Sequence, residues 1–208
     1  MSDDRERPAP VVLSQDAHDG DAGSNDRDGA RPTPGASPEA APGAPVEAPP
    51  ARAPSHAERC RTLAASARSG TLSTLCRDPA GYPFGSLVTL AADAAGRPIL
   101  LLSTLAEHTQ NLERCADASI LMTEPLDRHG SPLALGRMTL LGPCRRVPEP
   151  ERAAARAIFL AAHPDAASYV DFKDFAFYRL APVALRYVGG FGRMSWVDAE
   201  DYARASSV

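Results

Sequence analysis

Residues 97–122 read RPILLLSTLAEHTQNLERCADASILM, and two changes of period within this stretch set the fold. Residues 99–102 form an unbroken apolar run, the pattern of a strand buried on both faces. Leu105, His108, Thr109 and Leu112 then recur at helical spacing and predict a helix over residues 107–115, after which ASILMT at 118–123 returns to a strand. Ser103, Thr104, His108 and Thr109 gather hydroxyls, an imidazole and free backbone N–H groups at the junction, an arrangement that suits an anion. A helix start alone attracts negative charge by only about 0.3–1 kcal/mol, so hydroxyl and cationic donors must supply most of any phosphate affinity. The same hydroxyls also suit a plain helix N-cap.

The neighbouring segments extend the alternation of short strands and helices. Residues 56–68 are free of Pro and Gly and place Cys60, Leu63 and Ala67 on one helical face. Strands are expected at 71–77 and 84–92, separated by the turn cluster DPAGYP, and the DAAG turn at 93–96 joins the second of them to residue 99 as a hairpin. A polar loop at 124–132 leads to a long strand at 133–147 that carries Arg137 and bends at Gly142-Pro143. A helix over 148–162 begins with Pro and Glu, and 175–188 reads as two strands broken near Ala181-Pro182. This order implies a mainly β, α+β architecture: a six-stranded antiparallel barrel with flanking helices. No GxGxxG follows a strand and no P-loop occurs, which removes the familiar nucleotide folds.

Composition divides the 208-residue chain in two. Residues 1–55 hold half of the 20 prolines and no aromatic side chain, with ten acidic residues against five arginines, so they are expected to be a disordered tail beside a domain at 56–208. The net charge of −4 leaves the domain at about +1, with no basic face for nucleic acid. No apolar run reaches the roughly 18–20 residues of a membrane span, and the acidic start lacks a signal-peptide pattern, so a cytoplasmic protein is expected. Cys60, Cys76, Cys115 and Cys144 form no CxxC pair and no histidines pair at ligand spacing, so the cysteines read as reduced thiols and no protein metal site is expected. No GxSxG elbow supports hydrolytic chemistry.

GGFGRMSW at 189–196 follows a strand directly. Its glycines permit close backbone approach to a ligand that Phe191 or Trp196 could cover, and the same pattern suits a tight turn with Trp as core.

Taken together, YPFGSLV, LLLSTLAEHTQNL, RMTLLG, HPDAASYVDFKDFAFYRL and YVGGFGRMSWV, in this order, resemble the pyridoxamine 5′-phosphate oxidase-like FMN-binding split barrels, in particular the branch related to heme-utilisation proteins. The resemblance covers residues 56–200. It implies a six-stranded split β-barrel that forms a homodimer with two FMN sites at the subunit interface. It also implies that Gly85, Ser86, Leu87 and Val88 run along the flavin. Ser103 and Thr104 would give hydroxyls to the phosphate or ribityl chain. His108 would face the phosphate, with Thr109 and Asn111 in the same box, and Arg137 would contact the flavin. Trp196, with Gly190, Phe191 and Gly192, would approach from the partner subunit.

Several positions depart from that pattern. Gln110 stands where close relatives carry Arg, and Gly85 and Leu90 replace the basic residues that flank the flavin strand in true oxidases, which lowers the expected phosphate affinity. The Arg-x-His substrate pair is absent near residue 208, and no histidine follows His163 to serve as a late axial ligand. The expectation is an FMN-dependent oxidoreductase acting on an unassigned small molecule, with no residue that must act as general acid or base. The alternative is a non-enzymatic module that stores, carries or senses heme or flavin, and a deazaflavin remains open as the cofactor.

Overall fold

A computed structural model describes residues 52–125, 131–190 and 192–208. The tail expected over residues 1–55 lies, up to residue 51, outside the described residues, as do His129 and Phe191. The described chain runs α1 (His56–Ser66), β1 (Ser69–Leu75), β2 (Pro83–Ala92), β3 (Pro98–Ser103), α2 (Glu107–Arg114), β4 (Asp117–Thr123), β5 (Gly136–Arg146), α3 (Glu149–Ala162), β6 (Phe175–Leu180), β7 (Ala184–Gly189), β8 (Met194–Asp198) and α4 (Ala199–Arg204). Ser55 starts α1 through a capping box, its hydroxyl accepting from the Glu58 amide while the Glu58 carboxylate accepts from the Ser55 amide. Glu58 is also paired to Arg52 at 2.6 Å.

All strand pairs are antiparallel, and six strands close a ring in the order β4-β1-β2-β3-β6-β5, with β5 returning to β4. Strands β7 and β8 extend the sheet outward from β5. β5 makes this possible by changing partners along one edge: residues 136–141 pair with β7, whereas Cys144, Arg145 and Arg146 pair with β6. Gly142 sits at the change. A Cβ there would collide with the carbonyl of Ala181, and the β6–β7 link is pinned across this point by Ala181 N–H to Pro143 O and Val183 N–H to Leu141 O. The bend expected at Gly142-Pro143 is the place where the barrel splits.

Leu72, Leu90, Leu100, Ile120, Leu140 and Leu180 fill the barrel, and Cys60, Leu63 and Ala64 of α1 and Leu112 of α2 join the same cluster. A second cluster packs α3 on the outer side of β3 and β6, where Phe159 meets Phe177 edge-on at 5.8 Å. Tyr202 of α4 is buried and donates its hydroxyl to the Gly96 carbonyl at 2.6 Å. Residues 194–196, read from the sequence as the end of a glycine segment, belong to β8, and α4 follows directly. Trp196 is not core: it is 61% exposed on the edge strand. Among the described residues no helix is long and apolar enough to cross a membrane.

Candidate functional site

The expected site residues fall into two groups on different parts of the barrel. The first group follows β3. Ser103 donates its hydroxyl to Asp174 Oδ2 at 2.9 Å and accepts the Leu105 amide at 3.2 Å, while the Thr104 amide bonds the Asp174 carbonyl at 2.6 Å. Neither sequence reading of Ser103 as a free donor or as an N-cap describes this arrangement. The N-cap of α2 is Ala106, with no side-chain cap bond, and Glu107 supplies the acidic first turn. Asn111 is fully buried; its amide donates to Thr74 Oγ1 at 3.1 Å and its carbonyl accepts the Arg77 amide at 3.0 Å, which ties α2 to the end of β1. Thr109 is 1% exposed, and its buried Oγ1 has no hydrogen-bond partner among the described residues. Burial pushes the His108 imidazole below its ordinary pKa, so it is neutral at pH 7.

This box does not fit the phosphate of FMN. A dianion placed at the Ser103 hydroxyl would meet the Asp174 carboxylate, a hydroxyl whose one proton is already donated, and an uncharged imidazole. Thr104 is exposed on the rim.

The second group lies on the outer face of the sheet. Strand alternation turns Gly85 and Leu87 outward, while Val88 points into the barrel core and Ser86 lies in register with buried Leu72. Register carries the outward row from Leu87 to Thr71, Leu121, Thr139, Arg186 and Trp196. The next row runs Gly85, Ser73, Ser119, Leu141, Ala184 and Asp198. On the other side Arg137 neighbours Thr123 and Val188, and Val188 neighbours Met194. These outward side chains are mostly small, hydroxyl-bearing or apolar and are spread around the barrel, β2 lying opposite β5 in the ring, with Leu87 82% exposed.

Two guanidinium groups serve this face. Arg186 lies over the Trp196 ring at 5.5 Å, and Arg137 makes only long bonds, 3.3 Å each, to the carbonyls of Leu133 and Leu135. Gly190 and Gly192 hold φ of 91° and 75° beside β8, the left-handed conformation that glycine permits. Leu87 and Trp196 are five strand steps apart, about 24 Å along the sheet at the usual ~4.8 Å spacing. One protomer cannot bring both onto a single flat ring.

Sequence reasoning missed Arg186 and Asp174. Alternation over residues 184–189 puts Arg186 on the Trp196 face and could have found it, once 194–198 was known to be a strand. Asp174 reaches Ser103 across 71 residues, and no local pattern announces it. Among the described residues the other two histidines are engaged: His163 Nε2 bonds the Leu90 carbonyl at 2.9 Å and its ring lies against Phe159, while His56 Nδ1 bonds Ser195 Oγ at 2.6 Å. Among the described residues no group of three or more His, Cys, Asp or Glu could hold a metal ion.

Comparison with known proteins adds sequence and fold relationships. A family profile described as CREG, beta-barrel, matches residues 51–204. The chain is 36% identical over 134 residues to the non-canonical heme oxygenase HOZ, chloroplastic, of Arabidopsis thaliana, covering 64% of this chain and 40% of that protein. It superposes on the structure of a heme binding protein from Mycobacterium smegmatis with a TM-score of 0.70 at 42% identity, covering 75% of this chain and 63% of that one. The chain thus spans less than two thirds of either relative. Campylobacter jejuni ChuZ shares the fold, with a TM-score of 0.59 at 18% identity, covering 67% of this chain and 57% of that one.

Proposed function

The chain belongs to the CREG β-barrel family, within the FMN-binding split-barrel superfamily, and from that premise we propose that it is a heme-binding protein whose site is completed by a second copy of itself. The observation that carries this reading is the exposed outer side of β7 and β8, where Trp196 is 61% exposed with Arg186 over its ring at 5.5 Å, together with Leu87, 82% exposed on the outer side of β2.

The residues fit a flat tetrapyrrole with two carboxylate arms. Leu87 of one copy and Trp196 of the other would cover the macrocycle, and Arg137 and Arg186 would hold the propionates through charge-assisted bonds. Heme, when bound, supplies a redox-active iron. This chain's own residues orient the ring and exclude water from it. The 42% identity to a heme binding protein supports the same choice of ligand. An FMN-dependent oxidoreductase is the weaker reading because the Ser103 box is opposed by Asp174. Free cysteines throughout the described domain suit work in the reducing cytoplasm.

Titration of the full chain with hemin tests the proposal. A saturable Soret shift at one heme per protomer, accompanied by a dimer in sedimentation, is expected. A flat titration, or one unaltered in Arg137→Ala and Arg186→Ala, removes it.

A further inference from the structure

Met194 shares the outer side of β8 with Trp196. The two are separated by one residue, so strand alternation turns both the same way, while Ser195 between them turns inward and meets His56 Nδ1 at 2.6 Å. Met194 is 56% exposed. It pairs with Val188, and Val188 pairs with Arg137, so Met194 ends the row of Arg137 as Trp196 ends the row of Arg186. The two β8 side chains stand about 7 Å apart along the strand, within the span of one macrocycle.

The outward side chains of β7 and β8 are Ala184, Arg186, Val188, Met194, Trp196 and Asp198. Two of these carry an atom that binds iron, the thioether of Met194 and the carboxylate of Asp198. Asp198 is committed to α4, which it caps by accepting the Glu200 amide at 2.9 Å. Imidazole and thiolate donors lie elsewhere. Among the described residues His56 is held on the inner side by Ser195, His163 is held by the Leu90 carbonyl, and His108 belongs to α2. Cys60 and Cys144 are buried, with desolvation pushing their thiols up to about 12, while Cys76 follows β1 and Cys115 ends α2. A thioether has no proton to lose before it binds a metal, so Met194 is a ready donor at neutral pH.

We propose that Met194 supplies its thioether sulfur as an axial ligand to heme iron on the outer side of β7 and β8. The assignment rests on the heme site proposed above for the same side of the sheet. Methionine ligation raises the reduction potential of heme iron, so heme held this way is biased towards the ferrous state. Arg137 and Arg186 address the carboxylates and Trp196 the ring face, whereas Met194 sets the potential of the iron.

X-ray absorption at the iron edge, recorded on the full chain loaded with hemin, tests the assignment. A sulfur neighbour bonded to iron is expected in the wild type and is lost in Met194→Leu, a volume-conserving change at an exposed position. That variant should still give a saturable Soret shift, with a lower reduction potential. Met194→His should restore an axial ligand whose donor is nitrogen. A saturable Soret shift in a wild-type chain with no sulfur at the iron overturns the assignment and leaves the heme site standing, as does a sulfur signal and a potential that persist unaltered in Met194→Leu. A wild-type chain without any Soret shift removes the heme site, and the Met194 assignment falls with it.

Discussion

The hydroxyl of Ser103 and the carboxylate of Asp174 form a 2.9 Å hydrogen bond that takes the donor a phosphate would need and sets a negative charge in its place. Replacing Asp174 by Asn removes that charge and retains a side chain able to accept the bond. FMN, followed by quenching of its fluorescence, should bind the wild-type chain weakly and Asp174→Asn more tightly. Equal affinities would mean that the flavin phosphate does not come to Ser103 in either protein.

Asn111 sits in the interior with both ends of its amide satisfied, by Thr74 Oγ1 and the Arg77 amide. Asn111→Ala leaves the buried Thr74 hydroxyl and the partly buried Arg77 amide without their partner and opens a small void, at a cost of about 2 kcal/mol. Urea unfolding should show that loss through a lower midpoint with an unchanged slope. A loss under about 0.5 kcal/mol, the scale of an ordinary surface substitution, would mean the amide is not structural.

Glu58 is held at a pKa of about 2, against an ordinary value of 4.5, first by its bond to Arg52 and then by the Ser55 amide. Because the folded value is the lower one, the cap contributes fully above pH 4.5 and is lost as pH falls from 4.5 towards 2. The Ser55 amide resonance should titrate over that window, and helix content near residue 56 should fall with it. Glu58→Gln should flatten the step, and an unaltered step in that variant would assign it to another carboxylate.

The barrel was legible from period and punctuation. Residues 99–102 read as a two-sided buried strand because α3 covers the outer side of β3 while the barrel core takes the inner side. Gly142-Pro143 was recognisable as a bend, but its role depends on Ala181, which is distant in sequence. β8 escaped because MSWVD is short and alternates buried and exposed side chains only once paired with β7. Leu87, Arg137 and Trp196 all point outward, but from strands on different sides of the barrel, and Ser103 and Asn111 are tied to Asp174 and Thr74 by tertiary contacts that no local spacing encodes.

Leu87 and Trp196 stand at opposite ends of one outward row, too far apart along the sheet to share a ring within a protomer. If the proposed heme site is built from Leu87 of one copy and Trp196 of the other, both residues should matter for binding and neither for folding. Leu87 is 82% exposed, so Leu87→Arg should change unfolding free energy by no more than about 0.5 kcal/mol. It should nonetheless convert the dimer to a monomer in sedimentation and remove the saturable Soret shift, because a cation is then buried without a partner against the facing copy. Leu87→Ala and Trp196→Ala should each weaken hemin binding while leaving the dimer in place. Mixed and allowed to exchange subunits, these two variants give a heterodimer with one intact site and one site carrying both lesions. Half of the wild-type high-affinity stoichiometry per heterodimer should therefore return. Heterodimers that form without any recovery would place Leu87 and Trp196 in separate sites, and a Leu87→Arg monomer that still binds hemin tightly would confine the site to one chain.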